Sequence, residues 1–144
     1  MINHETIELL RECDAGIQMG ISTIDEVKEH VSNPEFLTKL DDYQREYAQL
    51  QNEIQGVLHS YHEEGKDPNP LAKGMAWLKT NVTISVKESD ATIADLITDG
   101  CNMGVKSLNK YLNQYQGADG RSKDFARRLI ELQDRQLKEI RQYL

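Results

Sequence analysis

The sequence predicts an all-α fold, an antiparallel four-helix bundle with a crossover segment containing a shorter helix. Three observations carry that expectation. Apolar residues recur at spacings of three and four along four long stretches. Leu, Ile, Glu, Lys and Gln are plentiful and only 3 prolines occur in 144 residues, which favours helix. The stop signals between the stretches are short except for one central connector, so neighbours within each half are antiparallel. The expected organisation is a single domain over 1–144, large enough to bury a core without disulfides or metals.

The first helix is predicted from about His4 to Val31. Leu10, Cys13, Ile17, Gly20, Ile24, Val27 and Val31 form its packed seam. Ser32-Asn33-Pro34-Glu35 is a stop and restart: Asn33 can cap, Pro34 suits a first turn, and Glu35 favours the positive end of the dipole. The second helix is predicted from Pro34 to about Glu64, with Leu40, Tyr43, Tyr47, Leu50, Ile54, Val57 and Tyr61 inward. Each buried tyrosine hydroxyl on that seam needs a partner.

Gly65-Lys66-Asp67-Pro68-Asn69-Pro70 breaks the pattern. Gly65 can close the second helix and Asn69-Pro70 can open a connector helix over Leu71 to Val86. That helix carries Leu71, Met75, Leu78 and Val82, with Trp77 on its flank. A fourth helix is expected from Ser89 or Asp90 to about Gln116, with Ile93, Ile97, Cys101, Val105, Leu108, Leu112 and Tyr115 as its stripe. After a turn at 117–120, Ser122 is expected to cap a last helix carrying Phe125, Leu129, Leu132, Leu137, Ile140 and Leu144.

Composition excludes several classes. A net charge of −7 argues against a nucleic-acid binder. The segment from Arg121 to Leu144 is locally basic, with 7 Lys or Arg against 4 Asp or Glu, and reads as a solvated helix face among acidic neighbours. No stretch approaches the ~20 apolar residues that span a bilayer. The first residues show no signal-peptide pattern, so the expected compartment is the cytoplasm, where cysteines stay reduced.

The two cysteines sit in related contexts. Leu9 to Ile17 aligns with Ile97 to Val105 when Cys13 is set on Cys101, and each then reads Cys, Asp or Asn, a further residue, Gly, and Ile or Val. A pseudo-two-fold would set the cysteines face to face, with Gly16 and Gly104 allowing close backbone approach. A chance match of two helical segments is the alternative.

The chain resembles the small bacterial ferritin-like proteins grouped as a domain of unknown function, distant relatives of rubrerythrin and bacterioferritin. The marks are the Leu-Leu start with its Gly-Ile (Leu9 to Ile17), Ala76-Trp77-Leu78-Lys79 in the connector, and Asp99-Gly100 with Gly104. The resemblance implies the ferritin-like bundle. It also implies where a di-iron or di-manganese centre would be: one Glu on the first helix of each hairpin and a Glu-x-x-His pair on the second. Here the two bridging Glu positions fall on Cys13 and Cys101. Glu46 is the nearest candidate on the second helix, with Tyr47 and Gln49 where histidine is expected. Asp134 is the candidate on the last helix, with Leu137 three residues on. No Glu-x-x-His or Asp-x-x-His occurs in the chain. A conventional di-iron oxidase is therefore not expected, and no catalytic residue, cofactor or metal is assigned.

Other chemistry is open. Cys13 and Cys101 read as small buried hydrophobes, as a reversible thiol pair, or as thiolates for zinc or iron with Asp14, Glu46 and Asp134. Asp14 lies beside the seam, either buried with donors from the tyrosines of the second helix or reaching water. His59 and His62, with His4 and Glu63, could hold a transition metal at the surface, whereas His30 belongs to the opposite end. The leading expectation is a non-enzymatic binding or structural protein, with a homodimer as one arrangement open to it. The alternative is a thiol redox or metal protein using Cys13 and Cys101.

Overall fold

A computed structural model of the chain describes residues 4–63 and 89–144. Among the described residues the structure is all-helical, with no strand. Helix α1 spans His4–Lys28, α2 Pro34–Ser60, α3 Asp90–Gln114 and α4 Gly120–Ile140, followed by a 3-10 turn at Arg141–Tyr143. The connector helix expected at Leu71 to Val86, with Trp77, lies outside the described residues.

The caps explain most boundaries. Asn33 accepts from the backbone N–H groups of Glu35 and Phe36 at 2.8 and 3.3 Å, and Pro34 fills the first turn of α2, as the sequence suggests. Helix α1 ends at Lys28 rather than Val31, in a turn closed by His30 N–H to Val27 O. Helix α2 ends at Ser60 because His62 adopts φ 59°. That left-handed residue stops the helix before Gly65 is reached. Helix α4 starts earlier than expected. Asp119, not Ser122, is the cap, and its carboxylate accepts from Ser122 N at 2.8 Å. Asp90 has a different task. Its two oxygens accept from Ser32 N and Asn33 N, both at 2.8 Å, tying the start of α3 to the α1–α2 turn.

Polar contacts fix the helix directions. Near one end Gln44 of α2 reaches Asp25 of α1, and at the other Arg11 reaches Glu63, so α1 and α2 are antiparallel. Tyr43 meets Glu139 while Glu53 meets Arg128, so α2 and α4 are antiparallel. Thr6 accepts from Asp119 N and Gly16 faces Leu129, so α1 and α4 run parallel. Helix α3 starts beside the α1–α2 turn and passes Glu12 at Tyr111, antiparallel to α1. Helix α2 therefore ends beside Arg121, which donates to Tyr61, while α3 begins at the far end. Glu63 and Ser89 therefore lie at opposite ends of the assembly.

The buried faces follow the apolar spacing. Leu10, Ile17, Ile24 and Val27 of α1 are fully or almost fully buried, as are Leu40 and Ile54 of α2. Each such side chain contributes roughly 1.5–3 kcal/mol relative to exposure. Val57 and Tyr61 are only partly buried, and Phe36 and Leu58 take their place in the core. Leu144 is exposed, because α4 stops at Ile140 and the chain continues in the 3-10 turn Arg141–Tyr143.

Candidate functional site

The two cysteines do not form a pair. Both are buried free thiols. Glu12 meets Tyr111 across antiparallel helices, which sets Cys101 level with Ser22, roughly nine residues or ~13 Å along the axis from Cys13. Cys101 acts electrostatically on Tyr43 and Tyr47, which lie at that same level on α2. The separation exceeds the ~7 Å between Cα atoms that a disulfide tolerates. Burial, assisted by Glu12 and Asp14, pushes the Cys13 thiol up to about 12. Burial and then Asp134 push Cys101 up to about 12 as well. Burial thus favours the protonated thiol at both positions, the less nucleophilic form.

The other ligand candidates are dispersed. Asp14 is fully buried beside Cys13, and its donors are the amides of Gln18 at 2.7 Å and Gln55 at 3.2 Å, not the tyrosines of α2. Asp134 is half-buried near Cys101. Glu46 lies at the surface in an ion pair with Arg135. His4, His59 and His62 are exposed, and Glu63 accepts from Arg11 at 2.7 Å. His30 lies near Glu29 at the opposite end. Among the described residues no three His, Cys, Asp or Glu side chains converge to hold a metal ion.

The polar interior is instead a chain of neutral groups. Tyr47 is buried and donates to Gln136 Oε1 at 2.7 Å, with the Gln133 side chain beside it. Tyr43 donates to Glu139 at 2.7 Å. Burial holds both phenols well above their ordinary value, with the Glu139 contact adding to the rise at Tyr43. Gln133 Oε1 is buried and has no hydrogen-bond partner among the described residues.

Beside this chain a cleft of about 410 Å³ opens between α1 and α3. Tyr47, Gln133 and Gln136 form part of its floor, and Cys101 and Ile24 add apolar wall. Its room comes from small residues on the facing helices: Ala15, Gly16 and Gly20 on α1, and Gly100, Gly104 and Ser107 on α3. Glu12 and Tyr111, bonded to each other, stand at one end. Burial and then the Glu12 contact push Tyr111 up to about 12.

The sequence reading missed this cleft, although its signal was present. Glycines recur at a spacing of four on both helices, and two glutamines fall on the inward face of α4. The glycines do not serve a direct α1–α3 contact. A Cβ at Gly104 would sit 2.5 Å from Gln133 Oε1, and one at Gly20 would sit 3.2 Å from the Tyr47 ring. At Gly16 the nearest atom is Leu129 Cδ2 at 3.9 Å, an ordinary contact. Gly16→Ala is therefore expected to stabilise the chain by about 0.5–1 kcal/mol through helix propensity. Gly104→Ala is expected to destabilise it by about 1–3 kcal/mol through overpacking against Gln133. Urea denaturation of both variants checks the opposite signs.

Comparison with family models, curated proteins and solved structures finds no match to this chain.

Proposed function

We propose that this chain is a ferritin-like helical bundle whose di-metal centre has been lost, acting by binding rather than by catalysis. The helix directions support the ferritin-like reading. With α1 and α4 pointing one way and α2 and α3 the other, Glu63 and Ser89 lie at opposite ends, as a single long crossover between α2 and α3 would require.

The chemistry of the donors carries the rest. Where inward carboxylates and imidazoles would grip two ions, α2 and α4 offer Tyr47, Gln133 and Gln136, all neutral. Cys13 and Cys101, which the resemblance would put at the bridging positions, are buried free thiols about nine residues apart along the axis, too far to flank one pair of ions. Asp14, the one fully buried carboxylate among the described residues, already has two amide donors. No helix among the described residues is long and apolar enough to cross a membrane. The expected setting is a reducing cytoplasm, where two unpaired cysteines persist.

Purification without chelators, followed by elemental analysis of Fe, Mn and Zn and thiol titration before and after reduction, tests the reading. Substoichiometric metal and two free thiols in both states are expected. A stoichiometric metal that disappears in Cys13→Ser or Cys101→Ser would refute it and favour a thiolate metal site.

A further inference from the structure

We propose that the cleft between α1 and α3 is the docking surface of this chain's own segment 64–88, which seats on the outer face of those two helices. Exposure along α1 is the first observation. Helices α2, α3 and α4 carry exposed residues on successive turns, as at Arg45, Gln49 and Asn52 of α2. No residue of α1 from Glu5 to Ile24 is exposed. Ala15 is only 7% exposed, yet it stands nine residues, about two and a half turns, from the core residue Ile24 and so on the opposite face of the helix. Helices α2, α3 and α4 pack against α1 from the bundle side, and its outward face needs a further cover. That burial arises within a single chain, which favours a segment of the same chain over a second copy.

The ends of the segment point to the same face. Glu63 accepts from Arg11 of α1 at 2.7 Å, and Asp90 holds Ser32 and Asn33, just past the end of α1. Both anchors thus sit beside α1, about 30 Å apart along its axis. Residues 64–88 reach that far even at the ~1.5 Å per residue of a helix, the most compact of the regular forms. Their sequence sets Leu71, Met75, Leu78 and Val82 at spacings of three and four, an apolar stripe in need of a seat. The cleft offers one: about 410 Å³ among small residues, with Met103 57% exposed beside it. Interiors tolerate few voids of that size, so a row of apolar side chains suits it. The face between α2 and α4 does not suit. Arg128–Glu53 and Arg135–Glu46 span it with side chains 42–48% exposed, and taking such pairs out of water costs more than their attraction returns. The docking does not depend on the loss of a metal centre or on a binding role.

Trp77, the one tryptophan of the chain, reports where the segment lies. Asp99→Cys, next to Gly100 at the cleft, and Gln49→Cys, on the outward side of α2, each place a nitroxide at an exposed site of the full chain. The diamagnetic analogue of the label is the reference, and the native chain treated alike gives the background from Cys13 and Cys101. The nitroxide at Asp99→Cys is expected to remove most of the Trp77 emission, and the one at Gln49→Cys to leave it nearly intact. Quenching from Gln49→Cys alone, from both alike or from neither would overturn the placement. So would quenching from Asp99→Cys that vanishes on dilution, the mark of a second chain on this face. A stability measurement carries the test should a labelled variant not fold. Ala15→Glu is expected to lower the urea midpoint of the full chain, because an ionised carboxylate is forced beneath the segment. Added to Leu78→Ser and Val82→Ser, which strip the segment of its apolar contacts, the same substitution should shift the midpoint much less. A midpoint indifferent to Ala15→Glu, or an equal shift in both backgrounds, would likewise overturn the placement.

Discussion

Between pH 9 and pH 12 the chain is expected to lose most of its stability, through groups that lie inside the fold rather than on its surface. These are buried acids that the fold keeps protonated. Cys13 and Cys101 are raised from an ordinary value of 9.0 to about 12, chiefly by burial. Tyr111 rises to about 12, and Tyr43 and Tyr47 rise as well. In the unfolded chain the thiols release their protons near pH 9 and the phenols near pH 10. Above those values the unfolded state binds fewer protons than the native state, so stability falls with rising pH. The contribution is complete below about pH 9 and is lost as the pH climbs toward the folded values. Each pH unit that separates a thiol's folded and unfolded values is worth about 1.4 kcal/mol, so Cys13 alone accounts for a loss on the order of 4 kcal/mol across the window. That is a large part of the ~5–15 kcal/mol that stabilises a typical domain.

The check is a urea midpoint measured at half-unit steps from pH 7 to 12. Cys13→Ala sharpens it. At neutral pH the variant should be less stable than the native chain by about 1–2 kcal/mol, because a buried sulfur is replaced by space. Its pH profile should be flatter, since one titrating group is gone, and the two curves should cross on the alkaline side. A midpoint that stays level from pH 8 to 11, or parallel curves, would show that the thiols are not held neutral by the fold.

The helices were legible in the sequence because apolar spacing and capping residues are local signals. Asn33-Pro34 marks a boundary whatever surrounds it, and Leu10, Ile17, Ile24, Leu40 and Ile54 are buried because their spacing leaves no other face for them. Helix ends were less legible where a tertiary contact decides them. Asp90 reads as a cap, yet its carboxylate serves the α1–α2 turn. The site was the least legible part. The Cys13 and Cys101 contexts match in sequence, but matching contexts carry no information about axial register. The antiparallel offset of α1 and α3 separates them. Gln133 and Gln136 look like surface residues one at a time. Their burial follows only from the faces that α4 turns toward Tyr47 and Gly104. A polar residue's role in a core depends on partners from other helices, and periodicity does not list partners.

Phe36→Ala is expected to be among the most damaging single substitutions in the described chain, at about 3–5 kcal/mol. Phe36 lies in the first turn of α2 and is fully buried, though the seam read from spacing began only at Leu40. Its ring stacks on Tyr143, with centroids 4.4 Å apart and planes 6° from parallel. The contact explains why the chain turns after Ile140 instead of continuing α4: the 3-10 turn at Arg141–Tyr143 lays an aromatic ring over the start of α2. Truncating Phe36 therefore leaves a cavity and also releases the C-terminal turn. Phe36→Leu, which keeps most of the volume, should cost less than half as much. Tyr143→Ala, at a half-buried position, should cost less than Phe36→Ala. A double-mutant cycle between the two should return about 0.5–1.5 kcal/mol of coupling, the usual worth of an aromatic pair. Coupling near zero, with Phe36→Ala at its full cost, would mean that the ring is held by the core alone and that the C-terminal turn is a bystander.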